Sequence, residues 1–335
     1  HYPRGGKQLK KGFDTFQASD TVAWFESRGV ALKTEDDGRM FPTTDSSQTI
    51  IDCLLREADQ RGVDIRLQAS VQELKPQPDG GFHLDGEPFE HVIVATGGSP
   101  KRSGFSWLES LGHTVSEPVP SLFTFNMPGE DVTALMGVVV PDALVRIQGT
   151  KLSQQGPVLI THWGMSGPAV LKLSAWGARD LAERRYAFSI QINWVGISNA
   201  TEAAETMDAA VDEMRRKKVA NACPFELPKK FWAYLLERAE IPADAVWLEL
   251  GKKAKNKLLN TLLNDVYEVR GKTTFKEEFV TCGGVALGEV DFHTMQSRVV
   301  PGLYFAGEVL DVDGVTGGFN FQAAWTTGFV AGRLG

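Results

Sequence analysis

The sequence has 335 residues, 42% apolar side chains and a net charge of −7, which describe a globular protein with room for two domains. Cys53, Cys223 and Cys282 lie far apart, which excludes a C-x-x-C motif and predicts reduced thiols in a cytoplasmic protein. No apolar run approaches the ~20 residues that a membrane span needs, and the acidic balance disfavours a surface that coats nucleic acid.

The first third of the chain alternates between helical and extended patterns. Apolar residues recur at helical spacing after Asp45, which predicts a helix that ends at Gly62. Residues 63–71 then alternate strictly between apolar and polar side chains, which predicts a strand with one buried face.

A β-meander is expected next. Turn clusters at 78–81 and 85–86 divide residues 71–95 into three short strands. The last, residues 91–95, is continuously apolar, as in a parallel strand buried on both faces. It passes directly into Thr96-Gly97-Gly98, and ligands collect at such carboxyl ends in open α/β sheets; an ordinary strand–turn junction is the alternative.

The middle of the chain differs from both ends. Strand-length segments predict an inserted β-rich subdomain at 118–200, and helical spacing predicts an inserted helical subdomain at 201–272. Residues 1–117 and 273–335 would then form one interrupted domain, in which a strand pattern returns at 279–286.

The C-terminal region predicts a buried strand at 303–306, a glycine-rich loop, and a helix from Asn320. The loop glycines would let backbone N–H groups converge on an anion at the helix N-terminus: Gly314, Gly317 and Gly318. Gly328 lies inside the helix, where glycine costs about 1 kcal/mol relative to alanine. We therefore expect close approach of a sheet or a flat ligand at Gly328.

Five polar residues are candidates for chemistry. Glu308, just beyond the predicted strand, could bind a ligand hydroxyl or be a solvated loop acid. His162 could donate a proton in a cleft or be structural, and Ser166 lacks the G-x-S-x-G spacing of a nucleophile elbow. Asp311 and Asp313 lack the other ligands of a calcium loop, so we expect turn acids and no metal site.

Two basic clusters, residues 215–218 and 252–255, lie within predicted helices that also have apolar faces. Solvated helix faces are the expected interpretation, and contact with RNA is the alternative.

Four segments resemble the bacterial BaiN/YhiN-type FAD flavoproteins: V-I-V-A-T-G-G at 92–98, T-H-W-G-M-S-G-P-A-V-L at 161–171, T-C-G-G-V-A-L-G-E-V-D at 281–291, and G-L-Y-F-A-G-E-V-L-D-V-D-G-V-T-G-G-F-N-F-Q-A-A-W at 302–325. The resemblance implies an α/β fold, with a Rossmann-like FAD-binding domain of the glutathione-reductase type. It also implies a flavin-dependent oxidoreductase that transfers hydride to a small molecule, with FAD as cofactor and NAD(P)H as a possible electron donor.

The same resemblance assigns cofactor contacts. The residues that would line FAD are Val71 at the adenine, Ala95, Thr96, Gly97 and Gly98 along the nucleotide, Glu308 at the ribityl or pyrophosphate region, and Gly317, Gly318, Phe319 and Asn320 at the pyrimidine edge of the flavin. The helix N-terminus at this edge would stabilise negative charge on the reduced flavin. No catalytic side chain is implied, and His162 is the weak candidate.

One element of such FAD domains is missing from these 335 residues. FAD domains of this type open with a strand, G-x-G-x-x-G and a helix, whereas residues 1–6 supply neither the strand nor the motif. We therefore expect an N-terminally truncated chain that binds FAD weakly or not at all. The alternatives are a flavin-dependent RNA-modifying protein and a non-catalytic scaffold.

Overall fold

The computed structural model describes residues 1–273 and 280–334, and Phe279 of the predicted strand at 279–286 lies outside them. The chain forms two compact units. Unit 1 consists of His1–Val119 and Val280–Gly335, and unit 2 of Pro120–Phe279.

The α-helices in chain order are α1 (Gly6–Phe13), α2 (Ala18–Glu26), α3 (Ser47–Gln60), α4 (Ser106–Ser110), α5 (Pro168–Trp176), α6 (Ala178–Glu183), α7 (Ala200–Met214), α8 (Lys229–Arg238), α9 (Lys252–Leu263) and α10 (Phe319–Ala331). The strands are β1 (Leu32–Thr34), β2 (Met40–Pro42), β3 (Leu74–Pro76), β4 (Phe82–Leu84), β5 (Glu87–Phe89), β6 (Val92–Val94), β7 (Val115–Ser121), β8 (Thr124–Asn126), β9 (Val139–Ile147), β10 (Ser153–Thr161), β11 (Gly164–Ser166), β12 (Ala187–Asn193), β13 (Asp265–Arg270), β14 (Lys272–Thr273), β15 (Val280–Val285), β16 (Val290–Asp291), β17 (Gln296–Ser297) and β18 (Leu303–Phe305).

Unit 1 is an α/β unit built around a sheet with the strand order β16-β17-β18-β6. β18 and β6 run parallel, with Leu303 opposite Val92 and Phe305 opposite Val94, while β16, β17 and β18 pair antiparallel. Its core includes Leu9 from α1, Leu108 from α4 and Phe305 from β18. Separate from this sheet, β3, β4 and β5 form an antiparallel meander within the predicted range 71–95, but its third strand is Glu87–Phe89 and not residues 91–95.

Two strand predictions in unit 1 are wrong in detail. Residues 63–71 form no strand, and Leu67 within them is 83% exposed. Alternation alone cannot make a strand, which needs a hydrogen-bonded neighbour, and the described residues supply none to this segment. β6 follows the three-stranded meander as a separate edge strand of the larger sheet, so Ile93 is 41% exposed and the expected burial on both faces is absent.

Unit 2 has an antiparallel sheet with the order β13-β12-β9-β10-β11-β8-β14. Side chains of this sheet and of α5, α7, α8 and α9 share one apolar core. A buried carboxylate, Asp265, accepts hydrogen bonds from Arg238, Tyr267 and Trp194, which fastens α8 to the sheet.

Cys53 and Cys282 are buried, and Cys223 is partly buried. Across residues 1–273 and 280–334, we find no helix with both the length and the apolar character needed to traverse a lipid bilayer.

Candidate functional site

The parallel pairing of β6 and β18 brings two glycine-containing turns together in unit 1. Ala306 N–H donates to the carbonyl of Val94 at 2.9 Å, so the pairing continues to the last residues of both strands. Residues 95–98 and 307–308 therefore leave the same edge of the sheet, side by side, as the sequence predicts. In parallel sheets this edge is where ligands bind.

Gly98 is the point of closest packing at this edge. A Cβ on residue 98 would lie 2.7 Å from Thr281 Cβ and 2.8 Å from Glu308 Oε1, well inside van der Waals contact. Glycine is therefore required here by the closeness of its neighbours rather than by an unusual backbone angle. Three separate segments of unit 1 meet at this residue.

Glu308 is held by the backbone of β15. Its Oε1 accepts a hydrogen bond from Thr281 N–H at 2.6 Å. Burial raises the pKa of the Glu308 carboxyl, the bonds from Thr281 oppose this, and the carboxylate of Asp313 raises the pKa further. Glu308 is thus a partly buried acid with a raised pKa, in contrast to the solvated loop acid that was the alternative.

The glycine-rich loop ends in the N-terminus of α10. Gly318, the residue before the helix, has φ 86°, a left-handed conformation that favours glycine, and no side chain caps the first turn. Asn320 fixes the loop from within the helix, because its Oδ1 accepts from Gly314 N–H at 2.7 Å and its Nδ2 donates to Gly314 O at 3.0 Å. No side chain therefore occupies the first-turn N–H groups of α10, and anion binding there stays a prediction.

The first residues of the chain pack on this loop. Tyr2 donates its hydroxyl proton to the carbonyl of Phe319 at 2.8 Å, and the His1 ring stacks on the Phe319 ring at 4.2 Å. Arg4 forms a bidentate ion pair with Asp313, whose side chain is fully buried. Sequence reasoning missed this contact because no local pattern relates residues so far apart.

Two of the sequence candidates lie elsewhere. Val71 is 54% exposed in the irregular segment before β3, and in the described part of the chain no hydrogen bond or strand pairing joins it to the other candidates. His162 belongs to unit 2, where it is exposed in the turn after β10 with its ring edge-on to Trp163 at 4.2 Å.

The expectation for Gly328 is wrong as far as a sheet is concerned. A Cβ added to Gly328 would meet no atom of the described residues within 4 Å, so no strand or other protein neighbour requires glycine at this position of α10. Close approach of a flat ligand at Gly328 stays a prediction. The helix instead packs through other side chains, including Phe329, stacked on Phe16 at 4.3 Å, and Trp325, edge-on to Phe25 at 5.5 Å.

The residues fit one end of FAD and leave the other end without a partner. The partly buried acid Glu308 and the uncapped N-terminus of α10 suit the ribityl chain and an electron-rich ring edge. The diphosphate finds no G-x-G-x-x-G turn in these 335 residues.

Comparison with known proteins places these features in a family. The family model described as the HI0933-like protein Rossmann domain matches residues 1–334. A 3-dehydro-bile acid delta(4,6)-reductase of Clostridium scindens is 28% identical, over 95% of this chain and 80% of the relative. Proteins named ribosomal RNA dihydrouridine synthase are 30% identical in Escherichia coli, over 97% of this chain, and 28% identical in Haemophilus influenzae, over 96% of it, with 80% of each relative covered. The chain belongs to the HI0933-like family of Rossmann-type FAD flavoproteins, as its sequence motifs predict.

Proposed function

We propose that this protein is an FAD-dependent oxidoreductase that adds hydrogen across a carbon–carbon double bond conjugated to a carbonyl group. The observation that carries the proposal is the meeting of Gly98, Thr281 and Glu308 at the carboxyl edge of parallel strands. Bound FAD would supply the hydride, and NAD(P)H is the proposed source of its electrons. A small molecule is the first candidate substrate.

The reaction class follows from the names of the relatives. One name describes a reductase of a 3-dehydro bile acid at its delta(4,6) double bonds, and the other describes formation of dihydrouridine. In both reactions a double bond conjugated to a carbonyl is saturated, with a hydride added to one carbon and a proton to the other. One type of flavin domain can support the same reaction on different substrates when the residues around the flavin differ.

The residues of unit 1 would bind and orient the cofactor rather than attack the substrate. The carboxyl oxygens of Glu308, one of which already accepts a hydrogen bond from Thr281 N–H, would accept hydrogen bonds from ribityl hydroxyl groups. The N-terminus of α10, with its uncapped N–H groups, would stabilise negative charge at the pyrimidine edge. The nucleotide contacts at Ala95, Thr96 and Gly97 and the adenine contact at Val71 are part of the same proposal.

β6 is the edge strand of the described sheet, and Ile93 on it is 41% exposed, although parallel strands are normally covered. These 335 residues also contain no G-x-G-x-x-G turn for the diphosphate. We therefore propose that they bind FAD weakly.

An anaerobic turnover assay tests the reaction class. The protein with excess FAD, reduced chemically, is mixed with a steroid that has a double bond conjugated to a ketone, and with the same steroid whose double bond is isolated. We expect flavin reoxidation and a product heavier by two hydrogens only with the conjugated substrate. The proposal would be contradicted if the reduced flavin were reoxidised neither by the conjugated steroid nor by any uracil compound.

A second candidate substrate is a uracil base within RNA. The names of the Escherichia coli and Haemophilus influenzae relatives suggest it, and exposed basic residues of unit 2 favour it. The chemistry would be unchanged, since uracil also has a double bond conjugated to a carbonyl group.

A further inference from the structure

Two basic segments that are distant in sequence lie next to each other in unit 2. Trp247 N–H donates to the carbonyl of Lys217 at 3.3 Å, and Leu248 N–H donates to the carbonyl of Arg215 at 2.9 Å. α9 begins with Lys252, four residues beyond Leu248, and four residues span at most about 14 Å. We name the six exposed cations of these segments the basic cluster: Arg215, Arg216, Lys217, Lys218, Lys252 and Lys253.

Across the described ranges, ion pairs engage the neighbours of the basic cluster but not its members, although Glu240, whose carboxyl pKa is lowered chiefly by Lys257, also interacts with the charge of Lys253. The two lysines that follow in α9 are paired, Lys255 with Asp208 at 3.3 Å and Lys257 with Glu240 at 2.6 Å. Within the part of the chain that the structure describes, no member of the cluster forms an ion pair, although Asp212, Glu213 and Glu249 lie close in sequence. Six unpaired like charges repel one another, so their grouping in a chain of net charge −7 calls for an anionic partner.

The surroundings of the cluster select the kind of anion. Trp247, its nearest aromatic residue in the paired segment, is 1% exposed and donates its Nε1–H to the carbonyl of Ala222, so it cannot stack on a base. Leu248 is exposed, but a single leucine gives no apolar face that could insert into a lipid surface. Arginine and lysine side chains without stacking partners suit the phosphate groups of a nucleic acid backbone.

We propose that the basic cluster binds the phosphate backbone of RNA. The choice of RNA over DNA rests on the second candidate substrate of the proposed function. The cluster binds RNA without reading its bases. Such binding weakens steeply with salt, and contact with about six phosphates gives a slope of log K against log salt near −4 for a single strand.

Fluorescence anisotropy with a labelled RNA hairpin that has unpaired uridines tests this inference. The protein is used without FAD, so a negative result bears on the cluster and leaves the flavin chemistry to its own assay. We expect binding at low salt, a slope between about −4 and −5 because the hairpin has both unpaired and paired segments, and at least tenfold weaker binding by the variant R215E/K217E/K252E. The matched control K10E/K11E/K151E changes the net charge equally through exposed lysines outside the cluster and should bind nearly as the wild type does.

Three results would overturn the inference. They are absence of RNA binding by the wild type at low salt, equal weakening in both triple variants, and binding to phosphatidylserine vesicles without binding to RNA. Equal melting temperatures of the wild type and both variants establish that a loss of binding is not a loss of folding. A labelled DNA hairpin of the same sequence shows whether RNA is preferred, and stronger binding of DNA would contradict the choice of RNA.

Discussion

Arg4 and Asp313, which are 309 positions apart, form a bidentate ion pair between the first residues of the chain and the glycine-rich loop. The Asp313 side chain is fully buried, and Arg4 is nearly so. A buried charge pair of this kind fixes the loop from which α10 begins, because each charge is costly without the other.

Loss of Arg4 should therefore destabilise the protein strongly. We expect Arg4→Ala to lower the free energy of unfolding by about 3 kcal/mol, since it leaves a carboxylate buried without its cation. Urea unfolding measures the change. The control Arg39→Ala removes an exposed partner of Asp37 and should have no measurable effect. Adding Asp313→Asn to Arg4→Ala should restore part of the loss; if Arg4→Ala is as mild as Arg39→Ala, the pair does not hold the loop.

Gly328 offers a prediction of opposite sign. Because a Cβ there meets no atom within 4 Å and the residue lies inside α10, Gly328→Ala should stabilise the protein by up to about 1 kcal/mol. Gly12→Ala is the comparison, since a Cβ there would approach Thr326 Cγ2 at 3.0 Å in the packing between α1 and α10. The melting temperatures of both variants test this prediction. Destabilisation by Gly328→Ala would contradict it, because it would mean that a neighbouring group packs against residue 328.

His113 makes stability depend on pH. Ser297 Oγ accepts from the N–H groups of Val299 and Val300, so its own proton goes to His113 Nε2 at 2.8 Å. His113 must then be neutral, and its burial lowers its pKa below the usual 6.5. As the pH falls, His113 therefore takes up a proton at a higher pH in the unfolded chain than in the folded protein. This stability is complete above about pH 6.5 and is lost between 6.5 and the lower pKa of the folded state.

The His113 effect is measured as the difference in unfolding free energy between the wild type and His113→Gln at pH 7.5 and at lower pH. We expect this difference to shrink below pH 6.5. For exposed His293, the difference between the wild type and His293→Gln should stay constant. An equal dependence on pH for both variants would argue against the neutral, buried state of His113.

Local sequence patterns correctly predicted the two strand ends that lie side by side in unit 1. A continuous apolar run followed by glycine marks the carboxyl end of a parallel strand, and both β6 and β18 have this pattern. The alternation of apolar and polar residues at 63–71 gave a wrong strand prediction. Alternation indicates that a segment has two different faces, but it does not show whether a neighbouring strand exists to pair with it. The position of Arg4 on Asp313 and the two segments of the basic cluster required the three-dimensional structure, since only tertiary packing brings them together.

The central claim is that the edge formed by Gly98, Thr281 and Glu308 binds FAD. Ligand binding to the folded state raises the melting temperature, and the gain grows with the ratio of free ligand to Kd. Gly98→Ala would push a methyl group into Thr281 and Glu308, whereas Gly288→Ala adds the same group where no atom lies within 4 Å. Glu308→Gln keeps the shape of the site and removes the acid. It therefore tests the site even if Gly98→Ala fails to fold.

The most direct measurement is the melting temperature of the wild type, Gly98→Ala, Gly288→Ala and Glu308→Gln over a titration with FAD up to millimolar concentration. The account predicts a saturable rise for the wild type and Gly288→Ala, none for Gly98→Ala, and a rise at higher FAD concentration for Glu308→Gln. No rise in the wild type, or the same rise in all four proteins, would contradict it.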